Sequence, residues 1–172
     1  MNEFHSSQEF IYRERWITPL LRTAVSEHRV VVLTGARQVG KSTLLLNAKP
    51  MKLWRYHTLD DFDVLRQAEQ NPQALWAGAD QVVIDEVQKA PALLPAVKQA
   101  VDHRPGMQLV LSRSANLLLM QRVSESLASR AVYFVLVPMT LGEMSSAPLP
   151  DVLPQLLAGQ WPDETSIQAL KP

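Results

Sequence analysis

The residues Gly35, Ala36, Arg37, Gln38, Val39, Gly40, Lys41 and Ser42 form the pattern G-x-x-x-x-G-K-[ST], and Thr43 carries it into an apolar run. This spacing suits phosphate. Gly35 and Gly40 let the backbone bend tightly, so that successive N–H groups point into one concavity. The concavity opens at a helix start, where unpaired N–H groups and the helix dipole favour an anion. Lys41 is expected to reach the β- and γ-phosphates of a nucleotide, and to face solvent in an empty site. The Ser42 hydroxyl is expected to ligate Mg²⁺. At average composition the pattern arises by chance with a frequency of about 4 × 10⁻⁵ per window, under ~1% over the chain. A Gly-rich turn without a ligand is therefore the weaker reading.

A second cluster follows about 45 residues later, where Val82-Val83-Ile84 runs into Asp85-Glu86. An acid at a strand end more often caps the next element. After an intact phosphate loop the odds reverse. Asp85 then suits Mg²⁺, directly or through water, beside Ser42. Glu86 points elsewhere by strand alternation and suits orienting and deprotonating an attacking water. Ser112-Arg113-Ser114-Ala115-Asn116 closes another strand. Ser114 and Asn116 are candidates to touch the γ-phosphate or that water; a turn and helix cap is an even alternative. Arg130 precedes the last strand and is a candidate to reach a phosphate, that of its own chain or of a neighbouring subunit, with an ordinary surface role at least as open.

These groups need elements to hold them. Val30–Leu33 is apolar throughout, which suits a parallel strand buried on both faces. Trp16, Ile17, Leu20, Leu21, Ala24 and Val25 recur at helical spacing, predicting a helix over about 14–27, with Pro19 tolerable in its first turn. Further strands are predicted at Leu53–Leu59, Gln81–Glu86, Gln108–Ser112 and Ala131–Val137. Helices are predicted from Ser42 to Asn47, from Asp60-Asp61 to Gln70, from Pro72 to Trp76, from Pro91 to about His103 and from Ala115 to Leu127. Alternating strands and helices imply a parallel sheet with helices on both faces. From Pro138 the signal weakens; residues 147–172 hold five of the twelve prolines, and only a short helix at Val152–Ala158 is expected there.

The segments TGARQVGKSTLL, LDDFDVLRQAEQNP, VVIDEVQKAPALLPAVKQAVD and LVLSRSANLLLMQRVSESLASRAVYFVLVPMTLGE together resemble the AAA-type ATP-binding domain of many bacterial and archaeal ATPases. The likeness covers about residues 10–144. It implies an α/β fold of the P-loop NTPase class: three αβα layers around a mostly parallel sheet of about five strands in the order 5-1-4-3-2. It implies ATP and Mg²⁺ as cofactors. Gly35, Gly40, Lys41 and Ser42 match the phosphate loop, Asp85 and Glu86 the metal and water acids, and Ser114 the sensor position after the fourth strand. Three features depart from the family's pattern. Arg113 stands where a Gly is usual, which at positive φ costs about 1 kcal/mol or more. Ser129 replaces a Gly before Arg130. The chain ends at Pro172, where a second domain of unknown function usually follows. The expected organisation is an ATPase domain at 1–144 and a Pro-rich tail at 145–172, a truncated linker.

Length and composition fit one domain with a real core. Seventeen basic and seventeen acidic residues cancel, so bulk charge gives no signal for nucleic acid. The first 57 residues hold nine Lys/Arg against four Asp/Glu, and residues 58–102 hold three against eight; the basic third contains the phosphate loop. There is no cysteine, hence no disulfide framework or thiolate metal site. No apolar run approaches a membrane span and no signal pattern opens the chain, so a cytoplasmic protein is expected. ATP is the expected partner; a homo-oligomer and an unidentified protein partner stay open. The leading expectation is Mg²⁺-dependent ATP hydrolysis to ADP and phosphate, coupled to a conformational change. The alternative is a nucleotide-binding regulatory or interaction module that hardly turns over. A kinase or GTPase comes third, since no guanine signature is present.

Overall fold

The computed structural model describes residues 11–114, 127 and 130–148. The expected helix over 115–127, Asn116, Ser129 and the tail beyond 148 lie outside the described residues, apart from Leu127. Strands β1 (Val30–Gly35), β2 (Arg55–Thr58), β3 (Gln81–Asp85), β4 (Gln108–Ser114) and β5 (Ala131–Val135) alternate with helices α1 (Thr18–Glu27), α2 (Lys41–Asn47), α3 (Phe62–Gln70) and α4 (Leu93–His103). The sheet is five-stranded in the order β2-β3-β4-β1-β5, and every pairing is parallel. Read from the other edge this is the expected 5-1-4-3-2.

β1 explains the centre of the fold. Val30 and Val32 face one core with Leu109 and Leu111 of β4, Val82 and Ile84 of β3, and Leu93, Val97 and Val101 of α4. Val31 and Leu33 face the other core with Leu21 and Val25 of α1 and Leu44 and Leu45 of α2. Consecutive residues point to opposite faces of a strand, so an unbroken apolar run can sit only where both faces are covered. Each such Val or Leu side chain contributes about 1.5–3 kcal/mol when fully buried. A charge at Val32 would therefore break one whole layer.

Local signals set the boundaries. Asp61 caps α3, its Oδ1 accepting from the N–H of Asp63 at 2.8 Å and of Val64 at 3.3 Å; Asp60 instead pairs with Lys89 at 2.5 Å. Pro19 sits in the first turn of α1, so that helix starts later than the predicted residue 14. Pro72–Trp76 forms a 3₁₀ turn rather than an α-helix. A capping box at Thr140 and Glu143 starts a single-turn helix, Leu141–Met144, beyond the last strand.

Candidate functional site

Parallel strands bring their C-terminal ends to one edge of the sheet, where open α/β folds take ligands. Gly35 at the end of β1, Asp85 at the end of β3 and Ser114 at the end of β4 all lie there, Gly35 standing opposite Ser114 in the register.

Two glycines shape the phosphate loop for different reasons. Gly40 has φ +93° and Gln38 φ +63°, and this left-handed alternation turns loop N–H groups inward. Gly35 belongs to β1; a Cβ there would lie 2.4 Å from the Leu136 carbonyl oxygen. Its role is close approach rather than a bend. Ala36, Arg37 and Gln38 are exposed, while Val39, Gly40, Ser42 and Thr43 are half-buried. Lys41 corrects an expectation. It is 5% exposed, not solvent-facing, because its ammonium donates to the carbonyls of Gly35 at 3.2 Å and Ala36 at 2.8 Å. A charge that leaves water needs such partners.

Asp85 is 2% exposed and accepts several hydrogen bonds. Oδ1 takes the Ser112 hydroxyl in a short contact and the Glu86 N–H at 3.0 Å. Oδ2 takes the Tyr56 hydroxyl at 2.6 Å. Burial pushes the Tyr56 phenol well above its usual pKa, the Asp85 hydrogen bond and charge add to this, and the Ser42 hydroxyl against the same phenol works the other way. Glu86 leaves the strand in a left-handed conformation, φ +60°, and that, rather than strand alternation, sends its side chain away from Asp85. Its carboxylate accepts from the Gln88 side-chain amide in a short contact and from the Ser114 hydroxyl at 3.4 Å; Gln88 Oε1 in turn accepts from the Ser114 N–H at 3.3 Å.

Two predicted features are placed differently. Arg113 is part of β4, has no positive φ and is 1% exposed, so the backbone strain expected of a positive φ does not arise and the side chain is buried. Burial lowers its guanidinium pKa, and Tyr133 works the other way. Arg130 stands just before Ala131, which pairs with Val30 at the start of β1. That is the sheet edge away from the phosphate loop, so Arg130 does not reach a phosphate bound in its own chain. It pairs there with Asp102, Nε to Oδ1 at 2.7 Å.

The structure adds residues that sequence reasoning passed over. Arg15 and Glu143 form an ion pair at 3.0 Å, both about 95% buried. Arg15 also donates to the loop carbonyl of Val39 at 2.9 Å and to the Val137 carbonyl at 2.7 Å. Thr140-x-x-Glu143 was a readable capping box; nothing local marked Arg15, Tyr56 or Gln88. Beside the loop, a cleft of about 250 Å³ is lined by Ile11, Tyr12, Val39, Leu44 and Met139 among others. Clefts of about 510 and 620 Å³ lie elsewhere, one along α4 and the other at the N-terminal strand ends. They contain no motif residue.

Residues 27–145 match the family model of the AAA domain. The chain belongs to the AAA-domain family. Membership brings nucleotide binding and ATPase-like function at the family level. This AAA domain is 34% identical over 131 residues to uncharacterised proteins of Mycobacterium bovis and Mycobacterium tuberculosis, covering 74% of the chain and 29% of each relative. It thus spans under a third of the length of those relatives. A Walker-type ATPase of Pyrococcus abyssi shares the fold, with TM-score 0.52 and 16% identity over 89% of this chain and 61% of that one. Among the described residues, no helix of the AAA domain is long and apolar enough to cross a membrane.

Proposed function

We propose that this AAA domain binds ATP with Mg²⁺ at the Gly35–Thr43 loop and hydrolyses it to ADP and phosphate, coupling hydrolysis to a conformational change. The supporting observation is convergence. The loop, Asp85, Glu86 and Ser114 meet at the C-terminal edge of one parallel sheet. Loop N–H groups and Lys41 take the phosphates, Lys41 exchanging its two carbonyl partners for phosphate oxygens. The cleft beside Val39 and Leu44 suits a planar base, since its lining is mainly apolar. The hydroxyl of Ser42 and the carboxylate of Asp85 are hard oxygen donors, a set that fits Mg²⁺ held by one or two protein groups plus phosphate and water. When bound, Mg²⁺ supplies charge neutralisation at the β- and γ-phosphates. Glu86 orients and deprotonates the attacking water, and Ser114 senses the γ-phosphate. In this reading the working domain is 1–144 in a cytoplasmic protein. Arg130 serves a nucleotide only across a subunit boundary in a homo-oligomer.

A second reading, a nucleotide-binding module with little turnover, has one observation in its favour. Both Gln88 and Ser114 already donate to the Glu86 carboxylate, and so occupy acceptor positions that an attacking water would need. Two variants decide. Lys41→Ala is expected to weaken ATP binding markedly, read by fluorescent-nucleotide titration, with an unchanged circular dichroism spectrum. Equal affinity would remove the phosphate-loop reading. Glu86→Gln is expected to keep Mg·ATP binding and lower turnover by about 10²–10⁴-fold. Unchanged turnover in Glu86→Gln would favour the second reading or another base.

A further inference from the structure

Tyr56 lies on the edge strand β2, where it pairs in register with Val83. Side chains two apart share a face, so Tyr56 stands on the same sheet face as Val83 and Asp85. Its hydroxyl donates to Asp85 Oδ2 at 2.6 Å and lies against the Ser42 hydroxyl. One phenol thus hydrogen-bonds the carboxylate, and lies near the hydroxyl, that the proposed function assigns to the metal. Ser112 and the Glu86 amide occupy the other carboxylate oxygen, which leaves Oδ2 the oxygen whose protein donor, among the described residues, is a single movable side chain.

Resting on the proposed function, we propose that Tyr56 competes with a divalent cation for Asp85 Oδ2 and thereby sets the metal affinity of the nucleotide site. A carboxylate has about four lone-pair positions. Each protein donor withdraws electron density and one position from a cation or its bound water. A hydrogen bond to a charged acceptor is among the stronger ones, so removing this donor changes the carboxylate measurably while the ring continues to fill its place. Simple support of Asp85 predicts the opposite sign: without Tyr56 the carboxylate would be less well positioned and would hold metal more weakly.

The test is Tyr56→Phe in the full chain, with Mn²⁺ as the probe. Free Mn²⁺ is followed by electron paramagnetic resonance during titration in the presence of a non-hydrolysable ATP analogue, with Asp85→Asn as a control. The expected result is roughly tenfold tighter Mn²⁺ binding in Tyr56→Phe, unchanged affinity for the analogue without metal, and loss of the Mn²⁺ site in Asp85→Asn. A metal-induced tyrosine difference absorbance in the wild type, absent in Tyr56→Phe, reads the same displacement without relying on affinity. Unchanged or weaker Mn²⁺ binding in Tyr56→Phe, with the Asp85→Asn control behaving as stated, overturns the competition and leaves the metal site standing. No nucleotide-dependent Mn²⁺ binding in the wild type overturns the metal assignment itself, and this inference with it.

Discussion

Arg113 follows Leu109 and Leu111 along one face of β4, while Val110 and Ser112 occupy the other. The site acids contact the Ser112 face. Arg113 therefore fills space behind the site, next to Tyr133, rather than distorting the turn that carries Ser114. Replacing it with Gly removes a large buried side chain and adds chain entropy in a strand interior. The expected loss for Arg113→Gly is about 2 kcal/mol or more, which for a domain of this size lowers Tm by roughly 4 °C or more. Turnover should not rise. A thermal melt beside a saturating Mg·ATP assay checks both; a rate gain at unchanged Tm would return Arg113 to the catalytic turn.

At the scale of elements, the Arg15–Glu143 pair ties the stretch before α1 to the phosphate loop and to the single-turn helix after β5. Glu143 is anchored from both sides: Oε1 accepts from Arg15 and from the Trp16 N–H at 2.8 Å, and Oε2 from the Thr140 N–H at 2.8 Å. Burial alone would raise the Glu143 pKa, but the hydrogen bonds from Thr140, Trp16 and Arg15 outweigh it and hold the value below the usual range. A depressed folded pKa contributes stability that is present above the unfolded value, about 4.3–4.5, and is lost as pH falls through the folded value. Glu143→Gln leaves Arg15 buried beside a neutral group, a change of about 3–5 kcal/mol where a buried pair is broken from one side. Denaturant melts should show that gap near pH 7. It should begin to narrow as pH drops below about 4.5, where the unfolded carboxylate protonates, and close as pH falls through the lower folded value, where the native carboxylate also becomes neutral. A gap independent of pH would mean that Glu143 acts through packing and shape alone.

For the molecule as a whole, the position of the phosphate loop depends on how the chain beyond β5 closes over β1. The Leu136 N–H donates to the Thr34 carbonyl at 2.7 Å, and its own carbonyl oxygen lies where a Gly35 Cβ would be. Leu136 is also buried in the core shared with α1 and α2. Gly35→Ala must push these segments apart, since the nearest group it meets, the Leu136 carbonyl, is backbone. It is expected to lower Tm and nucleotide affinity together, whereas Lys41→Ala, which moves no backbone but gives up two hydrogen bonds, should lose affinity with the smaller loss of Tm. Parallel melts and nucleotide titrations on the two variants distinguish these patterns. Full nucleotide affinity in Gly35→Ala would mean that the loop is positioned independently of that closure.

Much of this protein is local information. The strand run Val30–Leu33, the cap at Asp61, the spacing of Gly35 to Ser42 and the acid pair at Asp85-Glu86 each express a short-range rule, so the strands, their alternation with helices and a set of candidate site residues could be read directly. Resemblance to the AAA domain supplied the strand order, which is a long-range property that periodicity does not carry. What only the tertiary structure decided were contacts between residues far apart in the chain. Tyr56 reaches Asp85 because β2 lies beside β3 in register. Arg15 meets Glu143 across 128 positions. Arg130 falls at the far sheet edge because β5 runs parallel to β1 from that end. The conformation of Arg113 was likewise not a matter of residue type: pairing with Thr34 holds it in the strand, and the neighbouring strands bury its side chain. Sequence spacing constrains neighbours within a helix turn or a strand; packing of separate elements is what brings these residues together or keeps them apart.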